Sequence, residues 1–96
     1  MDEALIRKHM VFFGSVQGVG FRYRARHAAE AVGATGWVRN ERDGSVTMEL
    51  QGTQTQIDRV IQMIDRSFTI RIEEMDARTI PAEEGERGFH TRDDRW

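Results

Sequence analysis

Three glycines and one arginine crowd the stretch from Gly14 to Arg22, with Gly14, Gly18 and Gly20 set among Ser15, Val16, Gln17, Val19 and Phe21. Backbone of this kind turns tightly without side-chain clashes and can bring successive N–H groups to one point. A helical pattern starts directly after it: Phe21, Ala25, Ala28, Ala29 and Val32 recur at three- and four-residue spacing, and Gly33 stands where the helix would be capped. Converging N–H groups at the positive end of a helix make a place for an anion. Arg22 falls in the first helical turn, where a planar, permanently charged fork can hold two phosphoryl oxygens. Nucleotide loops are excluded. Tyr23 occupies the third glycine position of GxGxxG, and no GK[ST] follows for a P-loop. A glycine loop opening a helix is equally compatible, by itself, with a purely structural turn.

A second chemical residue is Asn40. Its amide oxygen can accept a hydrogen bond from water, although it cannot act as a base near neutral pH. Taken alone it could merely begin the turn before Asp43-Gly44, a role Asn fills often. The elements around it decide whether it meets the glycine loop.

The apolar run from Lys8 to Gly14 predicts a first strand, followed by the loop and helix one. Trp37 and Val38 begin a second strand that reaches Asn40, and Asp43-Gly44 turns the chain into a third, alternating at Val46, Met48 and Leu50 and ending at Gly52. Thr53 and Thr55 both offer a cap for helix two, whose apolar face is Ile57, Val60, Ile61 and Ile64 and which should stop near Ser67. Ile70 and Ile72 start a fourth strand, but Met75 and Ala77 are out of step with them, which predicts a bulge before Pro81. Glu83 to Gly88 is expected as loop and Phe89 to Arg92 as a short last strand. This order is the ferredoxin-like split βαβ arrangement, an antiparallel sheet with two helices on one face. A right-handed crossover makes the first two strands parallel, so the glycine loop and Asn40 lie at the same edge of the sheet.

At 96 residues the chain is expected to be one domain, with 1–7 a flexible N-terminus and 93–96 a tail. The absence of cysteine removes disulfides, thiolate nucleophiles and Cys-based zinc sites, and suits a reducing compartment such as the cytoplasm. From Met1 to Met10 the charges of Asp2, Glu3, Arg7 and Lys8 leave no apolar run long enough for a signal peptide or a span. Net charge is −2, against general nucleic-acid binding, and the strands lack the exposed aromatics with basic neighbours that stacking on RNA bases requires. Charge is nevertheless concentrated: Arg22, Arg24, Arg26, Arg39 and Arg42 fall in one short stretch and could form an anion-attracting face. Arg24 and Arg26 are also what a solvated helix face looks like, and Trp37 and Val38 are read as core packing. His9, His27 and His90 lack metal-pair spacing, so neither a metal nor a cofactor is expected.

The segments VFFGSVQGVGFR, GATGWVRN and DGSVTMELQG resemble the acylphosphatase family in sequence, order and spacing, over roughly Lys8 to Ile72. The resemblance implies that Gln17, Gly18, Val19, Gly20, Phe21 and Arg22 form a phosphate-binding loop, that Arg22 is the essential phosphate ligand, and that Asn40 orients the attacking water. It implies a ferredoxin-like fold, a monomer, and metal-independent hydrolysis of small acyl phosphates. The alternative is a catalytically silent phosphate- or anion-binding regulatory domain on the same fold. Two positions depart from the family's pattern: Ser15 stands where a basic residue is frequent, and Thr91 where an aliphatic one is common.

Overall fold

A computed structural model describes residues 3–93. The elements run β1 (Ile6–Ser15), α1 (Phe21–Val32), β2 (Thr35–Asn40), β3 (Val46–Gly52), α2 (Gln54–Asp65), β4 (Arg71–Ile80) and β5 (Phe89–Thr91). They form a five-stranded sheet in the order β4-β1-β3-β2-β5. β1 and β2 each pair antiparallel with β3 and therefore run the same way, their C-terminal ends at one edge.

Strand alternation divides the sheet into two faces. Met10 and Phe12 of β1, Val38 of β2, and Val46, Met48 and Leu50 of β3 turn to the helices and are buried. Against them α1 lays Phe21, Ala25, Ala28 and Ala29, and α2 lays Ile57, Val60 and Ile64. The three alanines let α1 approach the sheet closely. Of the two threonines that could cap α2, Thr53 does so: its hydroxyl accepts from the Gln56 N–H at 3.1 Å, and the Gln56 side chain accepts from the Thr53 N–H at 2.8 Å. The Gln56 amide also donates to the Val32 carbonyl at 2.8 Å, joining the start of α2 to the end of α1.

The phase break in β4 is a bulge. Phe13 pairs with Glu74 and Gly14 with Ile72, so Glu73 is the extra residue, and it returns Ile72, Met75 and Ala77 to the helix side. In β2, Gly36 is a matter of space: a Cβ there would come within 1.9 Å of the Glu49 carbonyl oxygen. Side chains at this point would force β2 off β3.

Two expectations are refined. The sheet is mixed, because β5 joins β2 in parallel, with Val38 opposite Thr91. β4 runs opposite to β2, and the chain between Pro81 and Gly88 turns it round before it reaches the far edge. Order also begins earlier than a strand from Lys8 and a flexible 1–7 would have it. Ile6 and Arg7 belong to β1, Arg7 is fully buried, and the Glu3 carboxylate accepts from the Thr55 hydroxyl at 2.7 Å. Asp93 lies just past the last strand, whereas Met1, Asp2 and the tail residues Asp94, Arg95 and Trp96 lie outside the described residues.

Arg7 faces the side of the sheet away from the helices. Its guanidinium donates to Glu49 at 3.0 Å, to Glu86 at 2.7 Å and to the Gln51 carbonyl oxygen of the side chain at 3.3 Å. Gln51 in turn brackets Glu83, donating to its carbonyl at 2.9 Å and accepting from its N–H at 2.8 Å. These contacts hold the Pro81 to Gly88 segment across the open face and so carry the chain to β5.

Candidate active site

The loop between β1 and α1 is fixed on three sides. Val16 is buried in the core. The Gln17 amide donates to the carbonyls of Glu41 and Ser45 at 2.7 and 2.8 Å, tying the loop to the β2–β3 turn. The Val19 carbonyl accepts from the Thr69 hydroxyl at 2.8 Å, tying it to the connection after α2. Phe21 then plugs the start of α1 into the core, its ring 4.9 Å from that of Phe12.

Gly20 is the N-cap of α1 with φ of 83°, a left-handed conformation that costs a side-chain-bearing residue about 1–2 kcal/mol. Among the described residues no side chain caps this end, and no acidic residue lies in the first turn. The first helical bond runs from the Arg24 N–H to the Gly20 carbonyl at 2.9 Å, so the helix itself supplies no acceptor to the backbone N–H groups that precede Arg24 in its first turn. α2 answers the same need with its Thr53–Gln56 box. The start of α1 is left open toward a cleft, where donors and the helix dipole favour negative charge.

Asn40 is the last residue of β2, on the helix side of the sheet and 6% exposed. It lies at the same edge as the loop, and both border one open cleft of about 440 Å³, whose lining includes Gly18, Gly20, Arg22, Arg26, Asn40 and Thr91. Arg22 is half-buried at its rim and donates to the Arg92 carbonyl at 3.5 Å. The turn that follows Asn40 is rigid: the Glu41 N–H donates to the Ser45 carbonyl at 2.9 Å, and hydrogen bonds from the Ser45 hydroxyl and N–H hold the Asp43 carboxyl below the usual carboxylate range.

The six loop positions singled out in the sequence do not contribute alike. Gly18, Gly20 and Arg22 border the cleft, and Phe21 does so from beneath, with its ring in the core. Gln17 and Val19 do not line it; the Gln17 side chain is a strut to the β2–β3 turn. Tyr23, Arg26 and Thr91 line the cleft although the sequence reading placed none of them in the site. For Arg26 the signal was available, since it is one helical turn beyond Arg22 on the same flank. Thr91 arrives only because β5 adds next to β2, a long-range event that no local pattern announces.

Away from the cleft, Trp37 lies on the opposite face of the sheet beneath two guanidiniums, Arg92 at 4.1 Å and Arg39 at 5.0 Å from the ring centre. His9 bonds to Glu49 at 2.7 Å on that face. Among the described residues no group of three His, Cys, Asp or Glu side chains is placed to hold a metal ion. No helix among them is long and apolar enough to cross a membrane.

The acylphosphatase family model matches residues 8–91 of the chain. An acylphosphatase of Salinibacter ruber is 40% identical over 80 residues, covering 82% of this chain and 84% of that protein. One from Bifidobacterium longum is 48% identical over 60 residues, which is 62% of each. In three dimensions the crystal structure of acylphosphatase from Bacillus subtilis superposes with a TM-score of 0.83 at 25% identity, over 91% of this chain and 98% of that one.

Proposed function

The chain belongs to the acylphosphatase family, and on that premise we propose that it hydrolyses the carboxyl-phosphate bond of small acyl phosphates, with Arg22 as phosphate ligand and Asn40 as the positioner of water. One observation carries the assignment of residues: Arg22, at the open N-terminus of α1, and Asn40, at the end of β2, border the same cleft. The phosphoryl group sits at the loop, its oxygens taking the N–H groups at the start of α1 and the fork of Arg22. A water held by the Asn40 amide oxygen attacks phosphorus in line. The new oxygen–phosphorus bond forms as the bond to the acyl oxygen breaks, and that oxygen leaves with the electron pair as carboxylate. The water proton passes to a phosphate oxygen of the substrate. Carboxylate is a good leaving group, so no strong general acid is required, and among the described residues no His, Asp or Glu lines this cleft. Charge stabilisation and positioning carry the catalysis.

The same reading takes the protein as a cytoplasmic monomer that needs neither metal nor nucleic acid. The exposed edge strand β4 supports a monomer, because Arg71, Glu73, Glu74, Asp76 and Arg78 along it oppose pairing with another sheet. Trp37 offers little ring for a base to stack on, being 8% exposed beneath Arg39 and Arg92.

Phosphate release from benzoyl phosphate in the presence of chelator tests the reading. We expect activity in the parent chain and losses of about a hundredfold or more in folded Arg22→Ala and Asn40→Ala. Inactivity of the folded parent would instead favour an anion-binding module.

A further inference from the structure

A second cleft, of about 300 Å³, adjoins the first and shares Gly20 and Tyr23 with it. The two lie on opposite flanks of α1. At 100° per residue, Arg22 and Arg26 project to one side of the helix, Arg24 and His27 to the other, and Tyr23 stands on the crest between them. Their contacts agree. Arg22 reaches the Arg92 carbonyl beside β5, whereas the Arg24 Nε donates to the Met63 carbonyl of α2 at 2.6 Å. The cleft on the α2 flank is walled by Val19, Tyr23, His27 and Met63, with Thr69 at its rim.

In-line displacement puts the attacking and leaving oxygens on opposite sides of phosphorus. Resting on the function proposed above, the water lies on the β2 side, next to Asn40, so the acyl oxygen departs on the other side, across Gly20 toward α2. We propose that this second cleft is the acyl-group subsite, and that it selects apolar, ring-sized acyl groups over small ones. Its volume is at the lower end of those that hold small organic ligands, about 300 Å³ and upward. Its walls combine the apolar Val19 and Met63 and the rings of Tyr23 and His27 with the polar Arg24, Ser67 and Thr69, and Tyr23, 71% exposed with its ring 5.6 Å from that of His27, contributes little to the core. Tyr23, exposed and bordering both clefts with His27 beside it in the second, is the feature that an acyl chain would cover.

The test is the ratio of kcat/KM for benzoyl phosphate to kcat/KM for acetyl phosphate, measured on the full chain, on Tyr23→Ala, which removes a wall, and on His27→Trp, which fills the cleft. Both variants are expected to lower that ratio about tenfold, as a hydrophobic pocket of this size discriminates. A ratio that stays at the parent value in both variants, or an equal loss for the two substrates, overturns the subsite while leaving the hydrolase reading intact. A folded parent that hydrolyses neither substrate overturns the hydrolase reading and the subsite with it.

Discussion

In the proposed mechanism Arg22 does two things that a lysine cannot do together: stay charged and present two parallel N–H donors in one plane. Arg22→Lys keeps the charge at the mouth of the cleft and loses the fork. We expect kcat/KM for acyl phosphates to fall about thirtyfold to a thousandfold, with less effect than Arg22→Ala, and steady-state kinetics on the two variants would show it. Equal activity of the lysine variant and the parent would mean that charge alone suffices. At this scale part of the cleft lining was legible, Gly18, Gly20, Phe21, Arg22 and Asn40, because glycine spacing and a helix start state their chemistry locally. Illegible were the residues that reach the cleft by other routes, such as Thr91, and the loop residues that serve to hold the loop rather than line the cleft. Gln17 reads as part of an anion loop, yet its amide is held by the Glu41 and Ser45 carbonyls, partners more than twenty positions away in sequence.

At the scale of elements, the loop works because its neighbours hold it still. Gln17 links it to the β2–β3 turn, and so fixes the distance between the start of α1 and the end of β2, where Asn40 sits. Gln17→Ala removes both hydrogen bonds and leaves the Glu41 and Ser45 carbonyls with only their backbone donors, the Gly44 and Glu41 N–H groups. The expected cost is about 1–3 kcal/mol of stability in urea unfolding, with weaker inhibition by inorganic phosphate as the loop loosens. A variant with parent stability and parent phosphate affinity would remove Gln17 from this role. Element boundaries followed the sequence wherever a local rule governs them: α1 ends at Gly33, α2 starts at the Thr53–Gln56 box, and the broken phase between Ile72 and Met75 is the Glu73 bulge. The start of β1 did not, because Arg7 reads as a surface charge until its partners from β3 and the Pro81 to Gly88 segment are in place.

Those partners bind the molecule together as a whole. Arg7 joins β1 to Glu49 of β3 and to Glu86 of the segment that leads into β5, and β5 brings Thr91 to the cleft and the Arg92 carbonyl to Arg22. Burial disfavours the charge on each of these groups, but the hydrogen bonds and mutual attraction outweigh it. The Arg7 pKa is raised, and the Glu49 and Glu86 carboxyls are held below the usual carboxylate range, Glu49 by His9 and Arg7, Glu86 by Arg7 and the Thr35 hydroxyl. A carboxyl whose folded pKa is depressed stabilises the fold above its unfolded pKa, and that stability is lost as pH falls through the folded value. The parent should therefore lose stability on acidification below about pH 4. Arg7→Met removes the counter-charge and leaves Glu86 with only the Thr35 hydroxyl. A cost of about 3–5 kcal/mol is expected near neutral pH, where both carboxylates are charged. The difference between variant and parent should shrink toward about pH 3, where protonation removes the charges that Arg7 was neutralising. Urea unfolding of both proteins across this range measures it, and a difference independent of pH would mean that Arg7 acts through packing alone. Because the same segment carries β5 to the cleft, the variant at neutral pH should also show a raised KM for acyl phosphates, although Arg7 lies on the far face of the sheet from the site.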